Sequence, residues 1–179
     1  MVVFGDECHV RWGDVTGHAW GKRGERVTVP VVNARKRQTY YGAINLVTGS
    51  AFVMPYRAGN GAGTVQFLKA LRRNVQGRPL VMIWDGASYH RSKLVKAYLR
   101  TVNGERPITE RLIHLERFAP NAPEQNPMED VWLAGKNWVR KHFASITTFE
   151  HVNYFFVNRI HSFVLKSEKF DWYGRSQII

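Results

Sequence analysis

Apolar positions along the first half of this chain recur at the short spacing of strands, and further on at the spacing of helices. Val2 to His9 is a short, apolar-rich strand candidate. Glu25 to Ala34 carries Val27, Val29, Val31 and Val32, β-branched side chains suited to an accessory hairpin. Gln38 to Val47 and Ala51 to Pro55 flank Thr48-Gly49-Ser50, a hairpin signal. The period then changes. Thr64 is placed to cap a helix holding Val65, Phe67, Leu68 and Leu71, ending before Gly77. Leu80 to Trp84 is an unbroken apolar run of buried-strand type. Ser92 opens a second helix with Leu94, Val95, Tyr98 and Leu99, stopped at Asn103-Gly104. Arg111 to Glu116, with Ile113 and Leu115 on one side, is a fifth strand. Pro120 to Pro127 is a rigid approach to a third helix. Thr147-Thr148-Phe149-Glu150 has the pattern of a capping box before a fourth, whose apolar face is Val152, Phe155, Phe156, Ile160 and Phe163.

Three strands followed by alternating helices and strands predict an α/β domain, a mixed five-stranded sheet flanked by helices. Strands ending at Asp6 and Asp85 become close neighbours if the second joins the first in parallel. Open α/β sheets bind ligands at the carboxyl ends of such strands. The third helix then has to carry Glu129 to the same edge.

At 179 residues the chain is expected to form one domain with a real core. Its net charge of +12 points to a polyanionic partner. Basic residues are dispersed, including Lys22, Arg23, Arg26, Arg35-Lys36-Arg37, Arg72-Arg73 and Arg140-Lys141. A structural basic protein would carry the same excess, so charge alone does not separate an enzyme from a binder. Cys8 is the only cysteine, which excludes an intramolecular disulfide and fits a reducing compartment. No apolar run approaches the ~20 residues of a membrane span, and no signal peptide opens the chain, so a cytoplasmic protein is expected.

The candidate chemistry lies in three acidic residues. Asp6 follows Val2-Val3-Phe4, Asp85 closes Leu80-Val81-Met82-Ile83-Trp84, and Glu129 lies in Asn126-Pro127-Met128-Glu129-Asp130. Such a set suits Mg²⁺, which takes oxygen ligands and leaves positions open for phosphates. Each residue has a plainer reading. Asp85 can start a turn. Asp6 and Glu7 point to opposite faces of a strand, so only one can reach a shared site. Glu129 falls three residues after Asn126, with Pro127 at the first helical position, which is a capping box in its own right. Glu124 and Asp130 are alternative third ligands. His90 is an auxiliary candidate, either orienting a phosphate or water or anchoring its loop. Gly59-Asn60-Gly61-Ala62-Gly63-Thr64 imitates a phosphate loop but lacks the third glycine of the dinucleotide fingerprint and any Gly-Lys-Ser/Thr ending.

These segments resemble the catalytic domain of DDE transposases of the mariner-like superfamily, in its bacterial insertion-sequence branch. Phe118 to Trp132 is similar to that family's proline-rich approach, Asn-Pro-Ile-Glu signature and following tryptophan, with Lys136 one turn on. Trp84-Asp85-Gly86-Ala87-Ser88-Tyr89-His90 resembles its second-aspartate motif and Phe4-Gly5-Asp6-Glu7 its first. Trp20, Gly24-Glu25-Arg26, Tyr41-Gly42-Ala43 and Thr48-Gly49 match its early hairpins. The resemblance implies an RNase H-like, retroviral integrase-type fold with Asp6, Asp85 and Glu129 as catalytic residues and metal ligands. It implies two Mg²⁺ ions, with Mn²⁺ as a substitute, serving DNA strand cleavage and strand transfer in transposition. It implies double-stranded DNA as partner, contacted at Arg35, Lys36, Arg37, Lys136 and Arg140, a dimer assembled on DNA, and a nucleoid-associated location.

The sequence departs from the family at Gly86, where asparagine is common, at Gln125, where leucine is usual, and in a longer interval between Asp85 and Glu129. Family members also carry N-terminal helix-turn-helix modules. Residues 1–179 are therefore expected to be the catalytic domain alone, with a separate N-terminal half as a possible partner. A non-catalytic DNA-binding remnant and a stand-alone RNase H-like nuclease are the alternative expectations.

Overall fold

In the computed structural model, which describes residues 1–16, 21–25, 28, 35–119, 122–162 and 164–177, five strands form one mixed sheet. Their order is β3–β2–β1–β4–β5. Strand β1 (Val2–Arg11) pairs antiparallel with β2 (Arg37–Asn45), which pairs antiparallel with β3 (Ala51–Tyr56). On its other side β1 takes β4 (Leu80–Trp84) in parallel, and β5 (Ile113–Arg117) adds to β4 in parallel.

Side-chain alternation divides these strands between two cores. Phe4, Cys8, Val10, Tyr40 and Ile44 pack with Met128, Val131 and Trp132 of α3 (Pro127–Lys141) and with Val152, Phe156 and Ile160 of α4 (Phe149–His161). Val3, Tyr41, Ala43, Leu80 and Met82 pack with Phe67, Leu68 and Leu71 of α1 (Gly61–Asn74) and Val95 of α2 (Lys93–Asn103). Each large apolar side chain buried this way contributes about 1.5–3 kcal/mol. Helices therefore cover both faces, the arrangement that the strand and helix order predicts.

Close approach of α3 to the sheet depends on one residue. Gly42 of β2 lies opposite Asp6 of β1. A β-carbon there would meet the Met128 methyl and stand 2.5 Å from the Trp132 ring edge. Only glycine lets the tryptophan lie flat against the strand at this level.

Several boundaries differ from the sequence expectation. β1 runs on to Arg11, so Asp6 is within the strand; Cys8 and Val10 keep it paired because both are buried against α3 and α4. α1 starts at Gly61, and Asn60 caps it by accepting a hydrogen bond from the Gly63 amide at 2.9 Å. The Thr64 hydroxyl instead donates back to the Asn60 carbonyl inside the helix. α4 is capped by Thr148, which accepts from the His151 amide at 3.1 Å. The third residue after that cap is His151, so Thr147 and Glu150 form no capping box. The accessory hairpin centred on Val27 to Val32, together with Trp20, Arg26, Pro120 and Phe163, lies outside the described residues save Thr28.

Candidate metal centre

The site forms where β4 stops short of β1. Phe4 pairs with Ile83 in parallel register. Two residues further on, that register sets Asp6 beside Asp85, just past the end of β4. Asp6 faces α3, and the Trp132 indole N–H donates to its Oδ2 at 2.9 Å. Asp85 is more open, its side chain 54% exposed. Its Oδ1 accepts from the Ala87 amide at 3.0 Å, which closes the turn through Gly86. A β-carbon on Gly86 would meet nothing, so glycine in place of the family's asparagine does not by itself loosen that turn.

Glu129 is exposed in the first turn of α3. Asn126 caps this helix alone, accepting from the Met128 amide at 3.0 Å. Its own amide group donates to the Gly5 carbonyl at 3.3 Å and so ties the helix start to β1. The Glu129 carboxylate takes no hydrogen bond among the described residues, and the capping box read from the sequence does not form. Asp6, Asp85 and Glu129 line one cleft of about 680 Å³, with Asn126, Gly86 and Ala87 beside them.

The electrostatics of the cleft favour a cation. Burial raises Asp6 well above the ordinary carboxylate range, and the charges of Glu129 and then Glu7 raise it further, against the Trp132 hydrogen bond that lowers it. Asp85 is lowered, first by the hydrogen bond from His90, against the cost of burial. Among the described residues, Asp85 Oδ2 and both Glu129 oxygens take no hydrogen bond. Three carboxylates converging on one wall, with oxygens to spare, are the donor set that suits Mg²⁺ or Mn²⁺.

The alternative third ligands are placed elsewhere. Asp130 is engaged by Lys169 at 2.8 Å and by the Ser167 hydroxyl at 3.1 Å, and Glu124 does not line the cleft. Arg117, at the end of β5, does line it together with Glu116 and Phe118. Arg117 was missed in the sequence, although the end of a parallel strand neighbouring the one before Asp85 is a place to look.

Glu7, on the opposite face of β1 from Asp6, makes a contact the sequence did not suggest. Its Oε1 lies 2.7 Å from His90 Nε2, and His90 Nδ1 lies 3.1 Å from Asp85 Oδ1. The imidazole also stacks on Trp84, with ring centres 3.8 Å apart. Burial pushes His90 down, but the hydrogen bonds and charges of Asp85 and Glu7 outweigh it and lift the ring to about 9. His90 is thus held between two carboxylates, an arrangement compatible with anchoring its loop. Glu7, Asp85 and His90 also stand close enough together to hold an ion among themselves. Both ring nitrogens already face carboxylate oxygens, which describes an imidazolium between two acids.

The basic residues read from the sequence as DNA contacts lie outside the acidic cleft. Arg35, Lys36 and Arg37 line a separate cleft with Arg11, Trp12 and Asp14, and Lys36 pairs with Glu150 at 3.6 Å. Arg140 Nε donates to the Thr16 carbonyl, and Lys136 is half-buried on α3 with its charge felt at Cys8. A further basic row, Lys93, Lys96 and Arg100, is exposed on α2, and between Arg57 and Arg100 the one acidic residue is Asp85. The glycine-rich imitation of a phosphate loop is used up internally: Asn60 caps α1 and its amide donates to the Tyr41 hydroxyl at 3.0 Å.

A family profile described as DDE superfamily endonuclease matches residues 1–152. No curated protein sequence matches. Among solved structures, Mos1 mariner paired-end complexes with Mn and with Mg are 19% and 18% identical, covering 99% of this chain and 52% of theirs at a TM-score of 0.60. The catalytic domain of Mos1 mariner transposase is 18% identical over 99% of this chain and 76% of its own, at a TM-score of 0.57. A simian T-cell lymphotropic virus intasome is 13% identical over 93% of this chain and 50% of that one, at 0.61. The fold is therefore that of transposase and integrase catalytic domains, and the chain spans about half the length of the Mos1 chains in the paired-end complexes. Among the described residues no helix is long and apolar enough to cross a membrane.

Proposed function

The chain belongs to the DDE superfamily of endonucleases, and from that premise we propose that it cleaves DNA strands and joins them to new sites in transposition, with Asp6, Asp85 and Glu129 as its catalytic carboxylates. The observation that carries this reading is the convergence of those three acids on one cleft at the end of β4. Asp85 Oδ2 and the two Glu129 oxygens are free beside the Asp6 carboxylate, a set suited to two Mg²⁺ ions, with Mn²⁺ as a substitute. A bound divalent ion supplies Lewis acidity at the phosphate and a water of lowered pKa.

The chain's own residues do the positioning. Trp132 fixes the Asp6 carboxylate and Asn126 ties the start of α3 to β1, so Glu129 is presented at the same level. Arg117, beside the carboxylates, is placed to bind a non-bridging phosphate oxygen as charge builds there. The net charge of +12 supports a duplex DNA partner held through its phosphates. Arg35, Lys36, Arg37, Lys136 and Arg140 are the first contacts to test. A dimer on DNA, a separate N-terminal DNA-binding half and association with the nucleoid belong to the same proposal.

The test is metal-dependent nicking of duplex DNA by the wild-type chain and by Asp85→Asn. The amide keeps an oxygen for the Ala87 turn and removes the charge that a metal needs. Wild-type nicking with Mg²⁺ or Mn²⁺, lost with EDTA and in Asp85→Asn while DNA binding persists, is the expected result. Nicking by Asp85→Asn at the wild-type rate refutes the assignment. Binding without cleavage by the wild type would favour a DNA-binding remnant.

A further inference from the structure

Beneath the cleft, on the far side of β1, lies a pair of titratable side chains that the proposed chemistry does not use. Glu7 and His90 are 7% and 2% exposed at their side chains, and they meet at 2.7 Å. Glu7 comes from the middle strand of the sheet; His90 comes from a 3-10 turn at Ser88–Arg91, five residues beyond Asp85. The imidazole is held flat against Trp84, at an interplanar angle of 6°. Its second nitrogen is directed at Asp85, 3.1 Å from Oδ1 and 3.5 Å from the backbone oxygen.

An exposed aspartate at the end of a strand is normally free to sample rotamers. Asp85 is not, because Oδ1 meets both the Ala87 amide and His90. We propose that Glu7, acting through His90, is a positioning residue for the cleft: it locks the Asp85 carboxylate so that Oδ2 alone is offered to a bound cation. The purpose of the lock rests on the proposed metal chemistry; the lock itself does not. Consecutive residues of β1 then serve one centre from two sides, Asp6 as a ligand above the sheet and Glu7 as the anchor of a second ligand below it. Partners behind a metal ligand that fix its orientation typically change metal affinity 10–100-fold when removed.

The test uses the full chain. Glu7→Met with His90→Phe removes the lock while keeping an aromatic ring for Trp84 and leaving no buried charge unpaired. Glu7→Gln keeps an oxygen to accept from His90. Two quantities are read: hydrogen exchange of the Ala87 amide, and Mn²⁺ affinity by titration without DNA. In the double variant we expect exchange at Ala87 to accelerate at least tenfold relative to the amides of β1, and Mn²⁺ affinity to fall at least tenfold. Glu7→Gln stays within about threefold of wild type in both, on the scale of those effects.

Unchanged exchange at Ala87 in the double variant overturns the proposal. So does a Glu7→Gln variant as damaged as the double variant, which would make the charge of Glu7, and not its hydrogen bond, the essential feature. So does a double variant that loses thermal stability while binding Mn²⁺ like wild type, since Glu7 and His90 would then be merely structural. A lock seen in the exchange data, in a wild-type chain that binds no Mn²⁺, would leave the positioning intact and refute the metal reading instead.

Discussion

Replacing Gly42 with alanine tests whether the shape of the cleft is set by the fit of α3 on the sheet. The added methyl would stand 2.5 Å from Cη2 and 2.8 Å from Cζ2 of Trp132, and it would also strike the Met128 methyl. Methionine can rotate away; the indole, buried at 3% exposure, can only move as a plate. Restoring ordinary contact requires a shift of about 1 Å, because carbon atoms settle near 3.5 Å. The hydrogen bond from Trp132 to Asp6, now 2.9 Å, would stretch beyond the range in which it counts as one. Overpacking costs about 1–3 kcal/mol and a hydrogen bond to a charged group about 1.5–3 kcal/mol. Together they predict a loss of about 2.5–6 kcal/mol, or roughly 5–24 °C in melting temperature for a chain of this size.

The sharper assay is a double-mutant cycle with Trp132→Phe, which removes both the ring edge that is struck and the N–H that is lost. Gly42→Ala in that background should cost at least 1 kcal/mol less than in wild type, well outside the ~0.5 kcal/mol within which independent substitutions add. Denaturant melts of the four proteins give the comparison. Additive costs, or a stable Gly42→Ala protein with unaltered Mn²⁺ affinity, would show that Trp132 does not depend on the missing β-carbon.

Three other outcomes follow from the same geometry. Glu129→Gln should change stability by less than ~0.5 kcal/mol, as exposed substitutions do, yet abolish nicking; an active variant would remove Glu129 from the metal site. Neutralising Lys93, Lys96 and Arg100 together should weaken all duplex sequences alike and reduce the slope of log affinity against log salt by about one for each phosphate left without its cation, as should Arg35, Lys36 and Arg37; an unchanged slope excludes the row tested. Burial pushes Cys8 up to about 12 from 9.0. The neutral thiol therefore contributes full stability below pH 9, and that contribution is lost as pH rises towards 12. Thiol labelling at pH 8 should proceed only through global unfolding, and fast labelling of the native chain would contradict the burial.

Most of the architecture was legible because the chain states it locally. The apolar run Leu80 to Trp84 formed the strand expected of it, and the helical spacing of Phe67, Leu68 and Leu71 formed a helix that starts earlier than Thr64. Asp85 and Glu129 could be named because each sits at a recognisable junction between elements; Asp6, read as the end of a strand, lies inside β1. What local reading could not supply was competition between partners. Thr64 was a reasonable cap, but Asn60 takes that role while Tyr41 receives the Asn60 amide. Glu129 had every local mark of a capping box, and Asn126 caps the helix without it. Glu7 was set aside for facing away from Asp6. That reasoning was correct as to direction and blind to His90, which reaches Glu7 only because a turn far along the chain folds beneath β1. Positions 26, 27 and 29–34, where the hairpin signal lay, fall outside the described residues.

The placing of Asp6 and Glu7 on consecutive positions of β1 bears on how this protein can change its length. A strand tolerates many replacements of individual side chains, but its faces alternate at every residue. One residue inserted or deleted ahead of Asp6 that slips this register would exchange the two acids, turning the ligand towards Trp84 and its anchor towards Trp132. Two inserted residues would restore the faces but displace both acids by about 6.5 Å along the strand, out of reach of Asp85. Insertion scanning across this domain should therefore find a short interdicted stretch in β1, intolerant even of alanine.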